Sequence, residues 1–399
     1  MPSVNPDILI WARETAGLTP EDAVQKLGIK DARGVEALVR LEQLETGEVA
    51  PTRPMLVKMS KQYRRPILTF YLSAPPRTGD RGEDFRTLPE ALAISDKALV
   101  DVVLRDIRAR QALVRNVLEE EDEAEPLPFI GSARRTERPE VLAPKIAEAI
   151  GFDIGTYRKS RNMGDSVAYL RGQAEAAGIF VLFVDNLGSH HTEISVEAFR
   201  GFALADDVAP FIAVNANDSK GAQSFTIVHE LAHLWLGVTG VSGRAVEREI
   251  EKFCNDVAGA FLLPEGVERL PVDADTEFDE AVQMIRDFAD ERKVSASMVA
   301  YALHRAGAYT YERCEQISRV FRQNFLGQRQ RDRDLSRDAD GGPTYPVIRR
   351  HRAGPALVEF VDRMLGVGAI TTTKAGKVLG VSGKNVDGVL KAGGPRVPA

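Results

Sequence analysis

In the stretch SFTIVHELAHLWLG, two histidines stand four residues apart with a glutamate directly after the first: His229, Glu230 and His233. On a helix, positions i and i+4 share one face, so both imidazoles can turn a nitrogen toward a single ion. Neutral imidazole suits zinc, with a nitrogen to metal distance of about 2.0–2.1 Å. Glu230, at the edge of that face, could take a proton from water activated by Zn2+ and return it to a leaving amine. Phe225, Ile227, Val228, Leu231, Leu234 and Trp235 make the same helix strongly apolar. Polar groups buried there without partners would cost about 1–3 kcal/mol each, which a bound metal removes. A pair of hydrogen-bonded core histidines is the plainer alternative.

Catalytic zinc takes a third protein ligand and keeps a fourth position open. The stretch VTGVSGRAVEREIEKFCNDVAGAFLLPE after Gly237 contains no histidine, so a carboxylate must serve. Glu247, Glu249 and Glu251 are the candidates, and helical phase separates them. The apolar face of this second helix holds Ile250, Cys254, Val257, Ala258 and Phe261, and Glu251 lies beside it. Glu249 shares its side with Asp256 and points to water, while Glu247, one turn before Glu251, is the fallback. Asn255, one turn after Glu251, could steady the ligating carboxylate. Tyr301 and His304, in VSASMVAYALHRAG, are candidates for stabilising a tetrahedral oxyanion. His190 and His191 read as a surface loop pair that could line the cleft, and Cys254 as a packing residue rather than a thiolate ligand.

These residues need elements to place them. AAGIFVLFV (176 to 184) and PFIAVNA (210 to 216) read as buried strands just before the motif helix, giving a small α+β core in a mostly helical chain. An extended substrate segment is expected to add along the strand in PFIAVNA. Three composition breaks, near 73–89, 118–139 and 326–346, are read as linkers, the last as charged and solvated. The expected divisions are an N-terminal helical unit over 1–75, a linker with a long helix over 76–139, and the metal-binding core over 140–326. A charged linker over 327–346 and a small helical module over 347–399 complete the chain.

The first unit shows short helices with clear start and stop signals. Asn5 with Pro6, and Thr19 with Pro20, are cap and first-turn pairs, and Gly28 closes the second helix. The order of four or five short helices resembles a repressor-type helix-turn-helix, so DNA is a possible partner. Its reading helix offers Arg40 among Glu36, Glu42 and Glu45, and those carboxylates would repel phosphate. A helical docking module for a protein is the other outcome. At the other end, ITTTKAGKVLGVSGKNVDGVL could be half of a second helix-turn-helix, and is expected to act as a docking module.

A chain of 399 residues is long enough for two or three units. The net charge of −6 gives no global attraction to nucleic acid. Two cysteines suit a reducing compartment rather than a disulfide framework. No stretch approaches the roughly 18 apolar residues of a membrane span, so the expected location is the cytoplasm.

FRGFALADDVAPFIAVNANDSKGAQSFTIVHELAHLWLG, followed by EIEKFCNDVAGAFLLP, resembles the ImmA/IrrE family of zinc metallopeptidases over about residues 165–310. The resemblance implies a zincin-like core with a small antiparallel sheet, His229, His233 and Glu251 as zinc ligands, and Glu230 as catalytic base. It also implies a regulatory protease that cleaves or inactivates a helix-turn-helix repressor or other partner, in stress responses, mobile elements or toxin-antitoxin systems. With an N-terminal helix-turn-helix, the chain also resembles a longer branch described as transcriptional regulators or toxin-antitoxin components. The competing expectation is a non-proteolytic DNA-binding regulator or antitoxin in which zinc only steadies the fold.

Overall fold

Asn5, Thr19 and Thr52 each accept a hydrogen bond from a backbone N–H of the helix they open, and a proline follows within two residues of each. They start α1 (Pro6–Thr15), α2 (Pro20–Leu27) and α4 (Arg53–Gln62), with α3 (Ala37–Glu45) between the last two. A short 3-10 helix, Ile67–Tyr71, follows. Ile8, Leu9, Leu27, Leu41, Met59 and Phe70 form the core of this group. Three features depart from a repressor-like reading surface. Residues 28–36 separate α2 from α3, a longer connection than the turn of about 3–4 residues in a helix-turn-helix. Glu45, expected on the surface, is buried in an ion pair with Arg13 at 2.7 Å. The guanidinium of Arg40 donates to the carbonyl of Lys30 on its own connection.

The computed structural model describes residues 4–32, 34–76, 94–187, 192–238, 244–338 and 342–392. By internal contacts the chain forms two units, Met1–Asp106 with Asn186–Phe199, and Ile107–Asp185 with Arg200–Ala399. The second unit takes the later part of α5 (Ile94–Glu120), then α6 (Pro139–Ala149), α7 (Ile154–Arg158) and α8 (Met163–Ala176). Three strands follow, β1 (Phe180–Val184), β2 (Gly201–Leu204) and β3 (Phe211–Asn215). Next come α9 (Lys220–Leu236), α10 (Arg244–Leu262), α11 (Phe278–Arg292), α12 (Ala296–Arg305) and α13 (Tyr311–Asp338). The carboxy-terminal helices are α14 (Tyr345–Ala353), α15 (Pro355–Gly366), α16 (Thr372–Leu379) and α17 (Val386–Lys391).

The sheet has the order β1-β3-β2. β1 runs parallel to β3, with Phe180 opposite Phe211, and β2 runs antiparallel to β3, with Gly201 opposite Val214. The sheet is therefore mixed, not antiparallel as expected. The long connection between β1 and β3 permits a parallel pair, which no hairpin could make. A second correction follows: β3 is the central strand, buried throughout, with both edges taken. It cannot receive a substrate segment.

Two supposed linkers carry structure. After α5, residues 127–133 close the end of α9: Gly131 and Ala133 donate to the carbonyls of Leu234 and Trp235, at 3.0 and 2.8 Å. Phe129 stacks on Trp235 with ring centroids 4.4 Å apart. Proline and glycine here shape a strap rather than a spacer. The charged stretch after 326 is helical through Asp338, with side-chain pairs at i,i+4 such as Gln328 to Asp332 and Gln330 to Asp334.

The carboxy-terminal helices pack on the same unit, α14 against β1 and α15 against α8. A buried pair anchors them. Arg171 and Glu175 on α8, each with a side chain 5% exposed, bond at 3.0 Å. Arg171 also donates to the carbonyls of Val181, His351 and Arg352, and the N–H of Ala356 donates to Glu175.

Candidate metal centre

The motif helix is pinned at both ends. Ser219 accepts from the N–H of Ala222 at 3.3 Å, and buried Gln223 donates to the carbonyls of Ala216 and Asp218. Gly237 ends α9 in the left-handed conformation, where the strap meets it. Between these ends Ile227, Val228, Leu231, Ala232 and Leu234 are fully buried, so helical phase fixes His229 and His233 on one remaining face.

α10 packs along α9, and α6 along α10. Ile250, Cys254, Val257, Ala258 and Phe261 are buried as the sequence periodicity predicts. That phase brings Glu251 over the histidines. Glu249, by contrast, is largely exposed and pairs with Arg135 at 3.1 Å.

Three donor atoms converge. His229 Nε2 lies 3.1 Å from His233 Nε2, and the Glu251 carboxylate oxygens lie 3.2 Å from the first and 3.3 Å from the second. Four ligands arranged tetrahedrally around zinc at about 2.0–2.1 Å stand about 3.3 Å from one another. All three observed separations match that edge. The donor types, two imidazoles and one carboxylate, also suit zinc. The histidine side chains are 12% and 13% exposed and that of Glu251 is 42% exposed, so the triangle is buried on one side and open on the other.

The electrostatics favour positive charge at the centre. Burial disfavours an imidazolium at His233, yet the Cys254 thiol, Glu251 and Glu230 beside it carry its pKa well above the usual histidine range. Burial would raise the Glu251 carboxyl, but His229 and His233 hold it well below the usual carboxylate range. His229 Nδ1 is buried without a hydrogen-bond partner, leaving Nε2 as that ring's working nitrogen. A cation among the three atoms would satisfy the carboxylate and the two Nε2 atoms that face one another, and the donor set fits zinc.

Glu230 is 5% exposed and sits on the neighbouring face, toward the sheet. Gly201, at the start of β2, makes room for it. A Cβ there would stand 3.1 Å from Glu230 Oε1 and 3.0 Å from the Ala213 carbonyl oxygen, and would collide with the Thr226 methyl. Nothing in the local sequence marks this glycine, because only the close approach of β2 to α9 gives it a purpose.

The remaining candidates are not among the three donors. Asn255 is half-buried and makes no hydrogen bond to Glu251 among the described residues. His304 meets the carbonyl of Tyr309 through Nδ1 at 3.0 Å, and Tyr301 is 43% exposed beside Arg305, which pairs with Asp256 at 3.2 Å. His304 is not part of the donor cluster. Cys254 is a free, buried thiol whose pKa burial pushes up, as a packing residue requires. His190 and His191 lie outside the described residues, as does the side chain of Glu247.

No helix among the described residues is long and apolar enough to cross a membrane. No curated protein and no solved structure gave a significant match. Residues 174–304, which hold the sheet, α9, α10 and all three donors, match the family model of the IrrE N-terminal-like domain, a peptidase family, and this supports placing that stretch in the ImmA/IrrE family of metallopeptidase type.

Proposed function

We propose that this chain is a zinc-dependent endopeptidase that acts as a regulatory protease on a repressor or other partner protein. The observation that carries the proposal is the triangle of His229, His233 and Glu251 at tetrahedral spacing, open on one side, with Glu230 adjoining. The family match of the same stretch supports it.

His229, His233 and Glu251 would hold the ion. Bound zinc supplies Lewis acidity to the attacking water and the scissile carbonyl. Glu230, from its nearly buried position between α9 and β2, accepts the proton of the water and delivers it to the leaving amine. Enclosure by apolar side chains of α9 keeps bulk water from competing for that proton and strengthens the local field. The fold around the centre is read as zincin-like, with the motif helix and ligand helix packed side by side. The N-terminal helices would recruit the partner; Arg40, tied to its own connection, offers little to DNA.

Glu230→Gln is the test. The variant should keep stoichiometric zinc and the wild-type melting curve while losing proteolysis and the cellular effect of the protein. If the cellular effect survives the substitution, binding rather than cleavage carries the function, and the chain is a regulator with a structural metal.

A further inference from the structure

One segment of this acidic chain is basic. Residues 345–392 hold eight Lys and Arg against three Asp and Glu, in a chain whose net charge is −6. The segregation coincides with a distinct architecture. α15, α16 and α17 close around Met364, Ile370, Ala375, Leu379, Val386 and Val389, all buried.

α16 ends at Gly380 in the left-handed conformation, with φ 68°. Val381 and Ser382 cross over, and a 3-10 turn, Gly383–Asn385, runs directly into α17. Two helices joined by a short glycine turn and packed on a third form a helix-turn-helix. Gly376 shows how tightly this one is folded. A Cβ there would stand 2.8 Å from the Val381 carbonyl oxygen and 2.9 Å from the Gly383 nitrogen, so a larger residue would push the second helix off the first. Arg350 on α14 donates to the carbonyls of Val389 and Leu390 and closes the far end of α17. The N-terminal helices, with residues 28–36 between α2 and α3, lack this short turn.

The charges are sorted as well. Lys374, Arg363 and Arg352 pair with Glu120, Glu123 and Asp185 of the unit on which these helices pack. Lys377 and Lys384, on α16 and just after the turn, are exposed and have no carboxylate partner among the described residues. Ser382 is exposed beside them and Asn385 half-exposed. Ammonium groups serve phosphates, while hydroxyl and amide groups serve phosphates and base edges alike.

We propose that α16, the glycine turn and the helix through α17 form a DNA-binding helix-turn-helix, which sets the residues after Ser382 into the major groove of duplex DNA. Lys377 and Lys384 contact phosphates, and Ser382 and Asn385 face base edges. In this arrangement it is the start of the second helix that reads the groove. The inference does not depend on the metal centre or on proteolysis.

The test uses the full chain and a fluorescently labelled random-sequence duplex of about three helical turns, ~30 bp. Anisotropy titrations run from about 50 to 200 mM salt, the range over which phosphate contacts are most visible. Wild type should bind the duplex with an affinity that falls steeply with salt. Lys377→Glu with Lys384→Glu should weaken binding severalfold or more and lower the slope of log K against log salt by about 2. Zinc content and melting temperature, measured on the same preparations, should match wild type. Selection from a pool of randomised duplexes should give a preferred sequence that changes in Asn385→Ala. Absence of duplex binding at low salt overturns the proposal, as does unchanged affinity in the doubly substituted protein. Equal affinity for heparin and duplex with no sequence selected overturns it too, leaving an unspecific basic patch.

Discussion

Replacing Glu251 by Gln keeps the size of the side chain and removes the charge that closes the donor triangle. An ion that binds only the folded chain stabilises it by RT ln(1 + [L]/Kd), about 2.7 kcal/mol at a hundredfold excess over Kd. A unit of this size gains about 2–4 °C per kcal/mol, so zinc at that level should raise the wild-type melting temperature by about 5–11 °C. Glu251 supplies one of three donors, at 3.2 and 3.3 Å from the other two. Removing even a residue that only orients a ligand weakens metal binding about 10–100-fold, so loss of the ligand itself should reach at least the upper figure. The same zinc concentration then sits near Kd for the variant, leaving about 0.4 kcal/mol and about 1–2 °C. Thermal denaturation of metal-stripped protein, with and without added zinc, reads both shifts. Comparing each variant with its own zinc-free form removes the effect of lost histidine contacts. An undiminished zinc shift in Glu251→Gln refutes the role of Glu251, and no shift in wild type refutes the metal centre.

Gly201→Ala should destabilise the fold by about 1–3 kcal/mol through overpacking and displace Glu230, reducing cleavage while zinc is retained; Thr226→Ser in the same chain should restore part of both, and no recovery would mean the collision is elsewhere. Arg171→Met strands the buried Glu175 charge and should cost about 3–5 kcal/mol in chemical denaturation, whereas a loss under about 1 kcal/mol would show that water reaches the pair. Asp206 accepts from the N–H groups of Val208 and Ala209 and from Arg115, and although burial opposes its charge these partners hold its pKa below the usual carboxylate range. Stability from a lowered pKa is present above the unfolded value of about 3.9 and lost as pH falls through the folded value. Asp206→Asn should therefore cost about 1–3 kcal/mol at neutral pH, with the gap to wild type closing below about pH 4; a gap that stays constant into acid would contradict the assignment.

The parts of this molecule legible in the sequence are those fixed by local periodicity. His229 and His233 share a face because four residues make about one helical turn, and Glu251 could be chosen over Glu249 because its phase sits beside Cys254 and Ala258. The start signals at Asn5 and Thr19 are equally local. What could not be read depends on distant partners. GFAL is too short and too glycine-rich to announce β2, and only its pairing with β3 makes it a strand. Strand direction in the sheet is set by connections whose path the sequence does not encode locally. The strap at 127–133 reads as a linker until Trp235 is placed against Phe129. The charged residues after 326 suggest solvation, yet high charge is compatible with a helix when opposite or complementary groups fall one turn apart. Glu45 looked like a surface carboxylate because Arg13, its partner, is 32 residues away.

The strap also bears on how this enzyme-like core could be cut out of its chain. The family match begins at residue 174, but the carbonyls of Leu234 and Trp235 take their donors from Gly131 and Ala133. The ligand helix α10 likewise leans on α6, which ends at Ala149. A fragment starting at the match would keep every donor of the triangle and lose the scaffolding that sets their spacing. The spacing of the three donors thus leans on upstream sequence, so removing residues 127–149 is expected to disturb the centre without touching a single ligand.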